Sequence, residues 1–186
     1  QLGSDLEIVP AAMAGNIDIV KSSAGNFSEF SDALNFTDLP GLFKNMNHVR
    51  EVWQSDIRKD VEDQIIEDTG LTPIMFDIDG GAPRALGYAG DPITSLDDMG
   101  GYSFRTTGSP IEVALLEAWG TGVIPISWDE LYTSIQQGVV DGLYGHPIGT
   151  YHTGMVEVID NLTIVDISYI TSAKLMSEQA VEKLGG

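Results

Sequence analysis

Two helix-start signatures flank one short apolar run between residues 109 and 130, and that arrangement directs the chain toward an α/β fold. Ser109-Pro110-Ile111-Glu112 supplies a capping hydroxyl, proline at the first helical position and glutamate three residues after the cap; Ile111, Ala114, Leu115 and Ala118 then recur at helical spacing before Gly120 stops the helix. Val123-Ile124-Pro125-Ile126 follows as a strand, and Ser127-Trp128-Asp129-Glu130 opens a second capped helix that Gly138 closes. The same alternation holds elsewhere. Val49, Val52, Trp53, Ile57, Val61 and Ile65 predict one helix over 47–68 with Gly70 as its stop. Pro73-Ile74-Met75-Phe76-Asp77-Ile78 reads as a buried strand closed by Gly80-Gly81, and 162–167 as another strand, so the expected architecture is a sheet flanked by helices.

With 186 residues the chain is long enough for one large domain or two small lobes. Its 9 Lys and Arg face 28 Asp and Glu, a formal charge of −19 that repels phosphate backbones and anionic lipid heads and so argues against nucleic-acid or membrane-surface binding. No apolar run approaches the roughly 18 residues of a membrane span. The absence of cysteine excludes disulfides, thiolate catalysis and Cys-based metal centres. The chain opens at Gln1-Leu2-Gly3 inside a pattern and closes just after a helical pattern has begun, which predicts a longer protein on both sides, any export signal lying outside this stretch.

Cations are informative here because they are scarce. Arg50 and Arg58 fall on the charged face of the helix predicted over 47–68, but Arg105 is the sole Lys or Arg from Ala85 to Ala173. It ends the strand-like Tyr102-Ser103-Phe104 and leads into the capped helix at Ser109, near the hydroxyls of Thr106 and Thr107. Guanidinium pairs bidentately with carboxylate and a helix start offers spare N–H groups, so Arg105 suits either a ligand carboxylate or a structural ion pair with a nearby acid. Arg84 also stands apart from the solvated arginines. His146 and His152 lack zinc-ligand spacing, Asp77-Ile78-Asp79-Gly80 lacks the remaining ligands of a calcium loop, and no nucleophile–base constellation supports a hydrolase or lyase. No cofactor-binding glycine loop is present. Asn26, Asn35 and Asn161 match three-letter glycosylation acceptors, a weak signal. Trp128 and Tyr144 fit either core plugs or the walls of a ligand cleft.

Several segments together resemble the solute-binding proteins of TRAP transporters, the tripartite ATP-independent periplasmic systems. The resemblance runs through Gly15-Asn16-Ile17-Asp18-Ile19, then 36–43 (Phe36-Thr37-Asp38-Leu39-Pro40-Gly41-Leu42-Phe43), then 92–105 ending in Arg105. Its most specific stretch is 130–142, Glu130-Leu131-Tyr132 through Gln136-Gln137-Gly138-Val139-Val140-Asp141-Gly142. It implies an α/β, two-lobed periplasmic-binding-protein-like fold with a ligand cleft between the lobes and the first lobe incomplete. Lobe I would be partial over 1–81, lobe II would span 82–169, and 170–186 would be a partial return segment to lobe I. It also implies a monomeric periplasmic receptor, without cofactor, metal or catalytic activity, that hands a small organic acid to integral membrane subunits. The same fold and cleft would equally serve the ligand-sensing domain of a signalling receptor.

By the same resemblance Arg105 forms the main ion pair with the ligand carboxylate, Arg84 assists, and Trp128 is a cleft aromatic. After Asp141-Gly142 the family usually has Gln-Glu-Asn-Pro, the Asn contacting the ligand; this chain reads Leu143-Tyr144-Gly145-His146-Pro147. Tyr144 replaces the acid and Gly145 or His146 the amide. These departures predict that Tyr144, Trp128 and His146 set specificity, favouring monocarboxylates with an apolar, keto or aromatic body over sugar acids and C4-dicarboxylates.

Overall fold

The computed structural model describes residues 3–185. Gln1, Leu2 and Gly186, at the outer limits of the predicted first lobe and return segment, lie outside the described residues. The chain begins with α1 (Asp5–Met13), β1 (Ile19–Ser23), the short α2 (Ala24–Phe27) and a 3-10 segment at Asp32–Asp38. Next come α3 (Met46–Val52), α4 (Ile57–Thr69), β2 (Thr72–Tyr88), β3 (Ser103–Thr106), α5 (Pro110–Ala118), β4 (Gly122–Pro125) and α6 (Trp128–Gln136). The chain continues with β5 (Gly142–Gly145), α7 (Pro147–His152), β6 (Asn161–Met176) and α8 (Glu178–Leu184).

Among the described residues six strands join one mixed sheet in the order β1-β6-β2-β5-β3-β4. β3 pairs in parallel with both β4 and β5, which requires crossovers, and α5 and α6 supply them. The long β2 and β6 pair antiparallel and are shared by two halves of the molecule. One half pairs 72–78 of β2 with the end of β6, from Ile78 against Thr171 to Thr72 against Met176; the other runs from Ala85 against Ile164 to Tyr88 against Asn161. Between them only Pro83 meets Tyr169, with register shifts on either side. Gly80 and Gly81 take φ of 67° and 57° and Asp166 takes 51°, left-handed conformations that make such irregular passages possible.

Each half has its own apolar interior. In the first, Phe27, Leu34, Val49, Ile65, Leu71 and Leu175 are essentially inaccessible to solvent. In the second, the sheet separates two layers. Leu86, Tyr88, Phe104 and Tyr144 pack with Leu116 of α5, while Leu143 packs with Leu131 and Ile135 of α6. The period of two along a strand therefore sends Leu143 and Tyr144 to opposite faces. It likewise sets Arg105 opposite Phe104, away from the α5 layer.

Two local expectations are corrected. The single helix expected over 47–68 is α3 and α4, broken around Trp53, whose buried ring stacks on Phe76 with centroids 4.4 Å apart. Ser55 at the break donates its hydroxyl to the Val52 carbonyl at 2.7 Å, an alternative to continuing the helical ladder. The strand expected to close at Gly80-Gly81 instead passes through both glycines and runs on to Tyr88, and Ile74 and Met75, expected inside, are exposed. The capping glycines Gly70, Gly120 and Gly138 do take left-handed φ.

Candidate functional site

Ser109 caps α5 as the sequence indicates, its Oγ accepting the Glu112 N–H. The glutamate does not reach back to close a capping box. Its Oε2 accepts the Thr107 N–H at 3.1 Å, and its Oε1 lies 2.5 Å from Arg84 Nη2. The same Nη2 donates to Asp38 Oδ1 at 2.9 Å. Asp38 ends the 3-10 segment of the first half, Arg84 stands on β2 at the passage between halves, and Glu112 belongs to α5 of the second. All three are at most 2% exposed. This is a buried ion triad that ties the halves together, completed by the Tyr144 ring 5.0 Å from the Arg84 guanidinium.

The electrostatics follow from burial and from the surplus of acid. Desolvation outweighs the Arg84 attraction at Asp38, Glu112 adds repulsion, and the Asp38 carboxyl is pushed up to about 6. Burial alone would lower the Arg84 pKa, but Glu112 and then Asp38 outweigh it and hold the guanidinium above its ordinary value.

Arg105 has different surroundings. It is 3% exposed, and its Nε donates to the Ile126 carbonyl at 2.7 Å. The guanidinium carbon lies 5.6 Å from the centre of the Trp128 ring. No carboxylate among the described residues forms an ion pair with it. Desolvation pushes it down to about 10, with Glu112 opposing and Arg84 reinforcing that shift, so it stays charged at neutral pH.

Trp128 and Ile126, the two partners of Arg105, also line a cavity of about 190 Å³. Its other walls are residues 3–6, Asn26 and Glu29 from the first half, and Thr107, Gly108 and the rest of 125–129 from the second. Within the wall, Asp5 Oδ2 accepts hydrogen bonds from Asn26 Nδ2 at 2.5 Å and Ser22 Oγ at 3.1 Å. A concave space between two halves, beside a buried cation and an indole, is suited to a small anion with an apolar face.

The six residues singled out in the sequence do not share one environment. Arg105 and Trp128 are together beside the cavity. His146 is half-buried and its ring lies parallel to Trp128, within 2°, at 6.5 Å between centroids. Its Nδ1 accepts the Gly149 N–H at 2.8 Å, and burial first of all lowers its pKa, with Asp79 opposing, so the neutral ring carries its proton on Nε2. The ring sits against Gly80, where a Cβ would come within 2.3 Å of Nδ1. Gly145 is a buried strand residue paired with Ala85. Tyr144 is interior: it is 1% exposed, bonds Ser168 through its hydroxyl at 2.5 Å, and faces the α5 layer with its ring against Arg84. Arg84 is likewise occupied, by two carboxylates.

Asp38 and Glu112 escaped the sequence reading. Asp38 lay inside a family-like stretch and Glu112 had a sufficient local explanation as a cap; the usable signal was that a chain so poor in cations must partner its buried acids with Arg84 or Arg105. Among the described residues no three His, Asp or Glu side chains are grouped to hold a metal, and no helix is long and apolar enough to cross a membrane.

The family model of the bacterial extracellular solute-binding proteins, family 7, matches residues 1–185. A solute-binding protein of Sulfitobacter sp. (strain NAS-14.1) is 27% identical over 90% of this chain and 50% of its own length. The 2,3-diketo-L-gulonate-binding periplasmic protein YiaO of Escherichia coli is 26% identical over 79% of this chain and 44% of its own. A TRAP periplasmic solute-binding protein from Sulfurospirillum deleyianum, solved with bound succinate, superposes with a TM-score of 0.90 at 27% identity, covering 98% of this chain and 58% of that one. The chain thus spans about half the length of the curated relatives it matches, and its sheet and helices are those of the two-lobed TRAP binding proteins. It belongs to the bacterial extracellular solute-binding protein family 7, the DctP-type substrate-binding proteins of TRAP systems.

Proposed function

We propose that the protein carrying this chain is a periplasmic receptor that captures a small organic acid between two lobes and delivers it to the integral membrane subunits of a TRAP transporter, acting as a monomer. The observation that carries the reading is Arg105, a buried cation with no ion-pair partner among the described residues, whose neighbours Ile126 and Trp128 line the cavity between the halves. Keeping a guanidinium in the interior without an ion-pair partner is costly, and a ligand carboxylate offsets that cost while gaining charge-assisted hydrogen bonds. Two of the relatives named above carry a carboxylate, one as bound succinate and the other as the diketogulonate of its name. The lobes divide near 81/82 and 169/170, a reading supported by the left-handed Gly80 and Gly81 and by the lone Pro83–Tyr169 pairing.

Arg105 holds the carboxylate, and Trp128 with His146 offers flat faces to the rest of the ligand. Gly145 replaces a side-chain amide with bare backbone, so hydroxyl groups lose a partner there. The preferred ligand is a monocarboxylate with an apolar, keto or aromatic body. A thermal-shift series on the complete protein with 2-oxobutyrate, benzoate, glucuronate and succinate tests this, since a ligand at 100 times its Kd adds about 2.7 kcal/mol of stability. The keto or aromatic acid is expected to stabilise most. If glucuronate or succinate binds tenfold tighter than either, the specificity reading fails.

A further inference from the structure

We propose that Glu112, with Asp38, sets the charge of the acceptable ligand by neutralising Arg84, so that the site takes monoanions and rejects dianions. The inference rests on the reading of Arg105 as the carboxylate receptor and adds a specificity determinant outside the cavity wall. A site with two available arginines would welcome two carboxylates. Here the second guanidinium is within 2.5 Å of Glu112 Oε1 and 2.9 Å of Asp38 Oδ1, all of them buried. Glu112 is also one residue from the wall, because its other oxygen accepts the N–H of Thr107, which lines the cavity.

The charges in this interior leave no room for a second negative one. With both acids ionised, Arg84, Arg105, Asp38 and Glu112 sum to zero before any ligand arrives. A monoanion on Arg105 leaves one excess negative charge, which a proton on Asp38 removes. A dianion leaves a further one, near Glu112 and, at the rim, near Asp5 and Glu29 of the cavity wall. Interactions between buried charges are screened weakly, so the discrimination survives at physiological salt. The effect works through the field and does not require Arg84 to touch the ligand.

Calorimetry on the complete protein with two matched pairs, butyrate against succinate and benzoate against phthalate, provides the test. Wild type is expected to bind the monocarboxylate of at least one pair tighter by about tenfold or more, the order expected for one added like charge. Glu112→Gln keeps the shape and an acceptor for Thr107 while removing the charge, and is expected to narrow that gap about tenfold, raising dicarboxylate affinity more than monocarboxylate affinity. If Glu112→Gln does not fold, as judged by circular dichroism, Asp38→Asn carries the same test from the other side of the guanidinium. Equal affinity within both pairs in wild type, or a gap unchanged in the folded variant, overturns the proposal while leaving Arg105 as the receptor. Failure of all four acids to bind wild type at millimolar concentration overturns the carboxylate reading itself.

Discussion

Arg84 and Arg105 lie in the same interior, both nearly inaccessible, yet one makes two ion pairs and the other none among the described residues. Arg84 has Asp38, Glu112 and the Tyr144 ring; Arg105 has a carbonyl and the Trp128 ring. A buried charge with permanent partners is a structural element, since its desolvation has been offset within the fold. A buried charge without an ion-pair partner keeps that desolvation cost, which on the function proposed above the ligand carboxylate offsets. The contrast separates two residues that sequence alone left as a pair.

The largest expected effect comes from erasing the compensated charge. Arg84→Met leaves Asp38 and Glu112 facing each other in the interior, and breaking a buried pair in this way costs about 3–5 kcal/mol. Arg105→Met removes a buried charge that makes no ion pair and is expected to leave stability unchanged or raise it. Urea unfolding of the two variants beside wild type measures both. Equal destabilisation would erase the distinction between the two arginines.

Next in size is a pH effect at Asp38, whose carboxyl is pushed up to about 6 by desolvation ahead of the opposing pull of Arg84. The ordinary value is 3.8, so the native state holds this proton more tightly than the unfolded chain. The contribution of this group to stability is fully present below about pH 4 and is lost as pH rises through about 6, a swing on the order of 2–3 kcal/mol. Unfolding curves between pH 4 and 7.5 are expected to show that loss superimposed on the ordinary gain from other carboxylates. In Asp38→Asn this component disappears. A difference between wild type and variant that stays constant across the range would place Asp38 elsewhere in the balance.

The third prediction concerns Arg105 alone. Lys cannot reproduce the planar fork that meets a carboxylate, and hydrogen bonds to charged groups contribute about 1.5–3 kcal/mol each. Arg105→Lys is therefore expected to weaken binding of the preferred acid by more than tenfold with little change in unfolding midpoint. An unchanged Kd by calorimetry would leave Arg105 a structural cation like its neighbour.

What the sequence made legible was the part written in local chemistry. Capped helix starts, glycine stops and short apolar runs gave the α/β alternation and the placement of α5, β4 and α6, because these signals act within one turn of the chain. The isolation of Arg105 was visible for the same reason. The break between α3 and α4 was hidden because Trp53 keeps helical spacing while packing against Phe76, a residue supplied by another element. The continuation of β2 through Gly80 and Gly81 was hidden because pairing with a distant strand overrides a local stop. Asp38 and Glu112 were hidden most thoroughly. Their partner is 46 residues from one and 28 from the other, and only the fold brings them to it.

Tyr144 gives the smallest effect and the sharpest separation of cleft from core. Its hydroxyl shares a 2.5 Å hydrogen bond with Ser168, and its ring lies beneath the Arg84 guanidinium and edge-on to Trp119. Tyr144→Phe keeps the ring and its cation–π contact but removes the hydroxyl, leaving Ser168 Oγ buried without that partner. A neutral buried hydrogen bond contributes about 1 kcal/mol net, so stability should fall by about that much. Ligand affinity should not move, because the lost atom bonds Ser168 and neither residue lines the cavity. Had Tyr144 been a wall of the cleft, removing a polar atom there would shift the preference between hydroxylated and apolar acids. Measuring affinity for benzoate and for glucuronate in this variant therefore decides whether the position once occupied by an acid in the family pattern now serves the ligand or the guanidinium beside it.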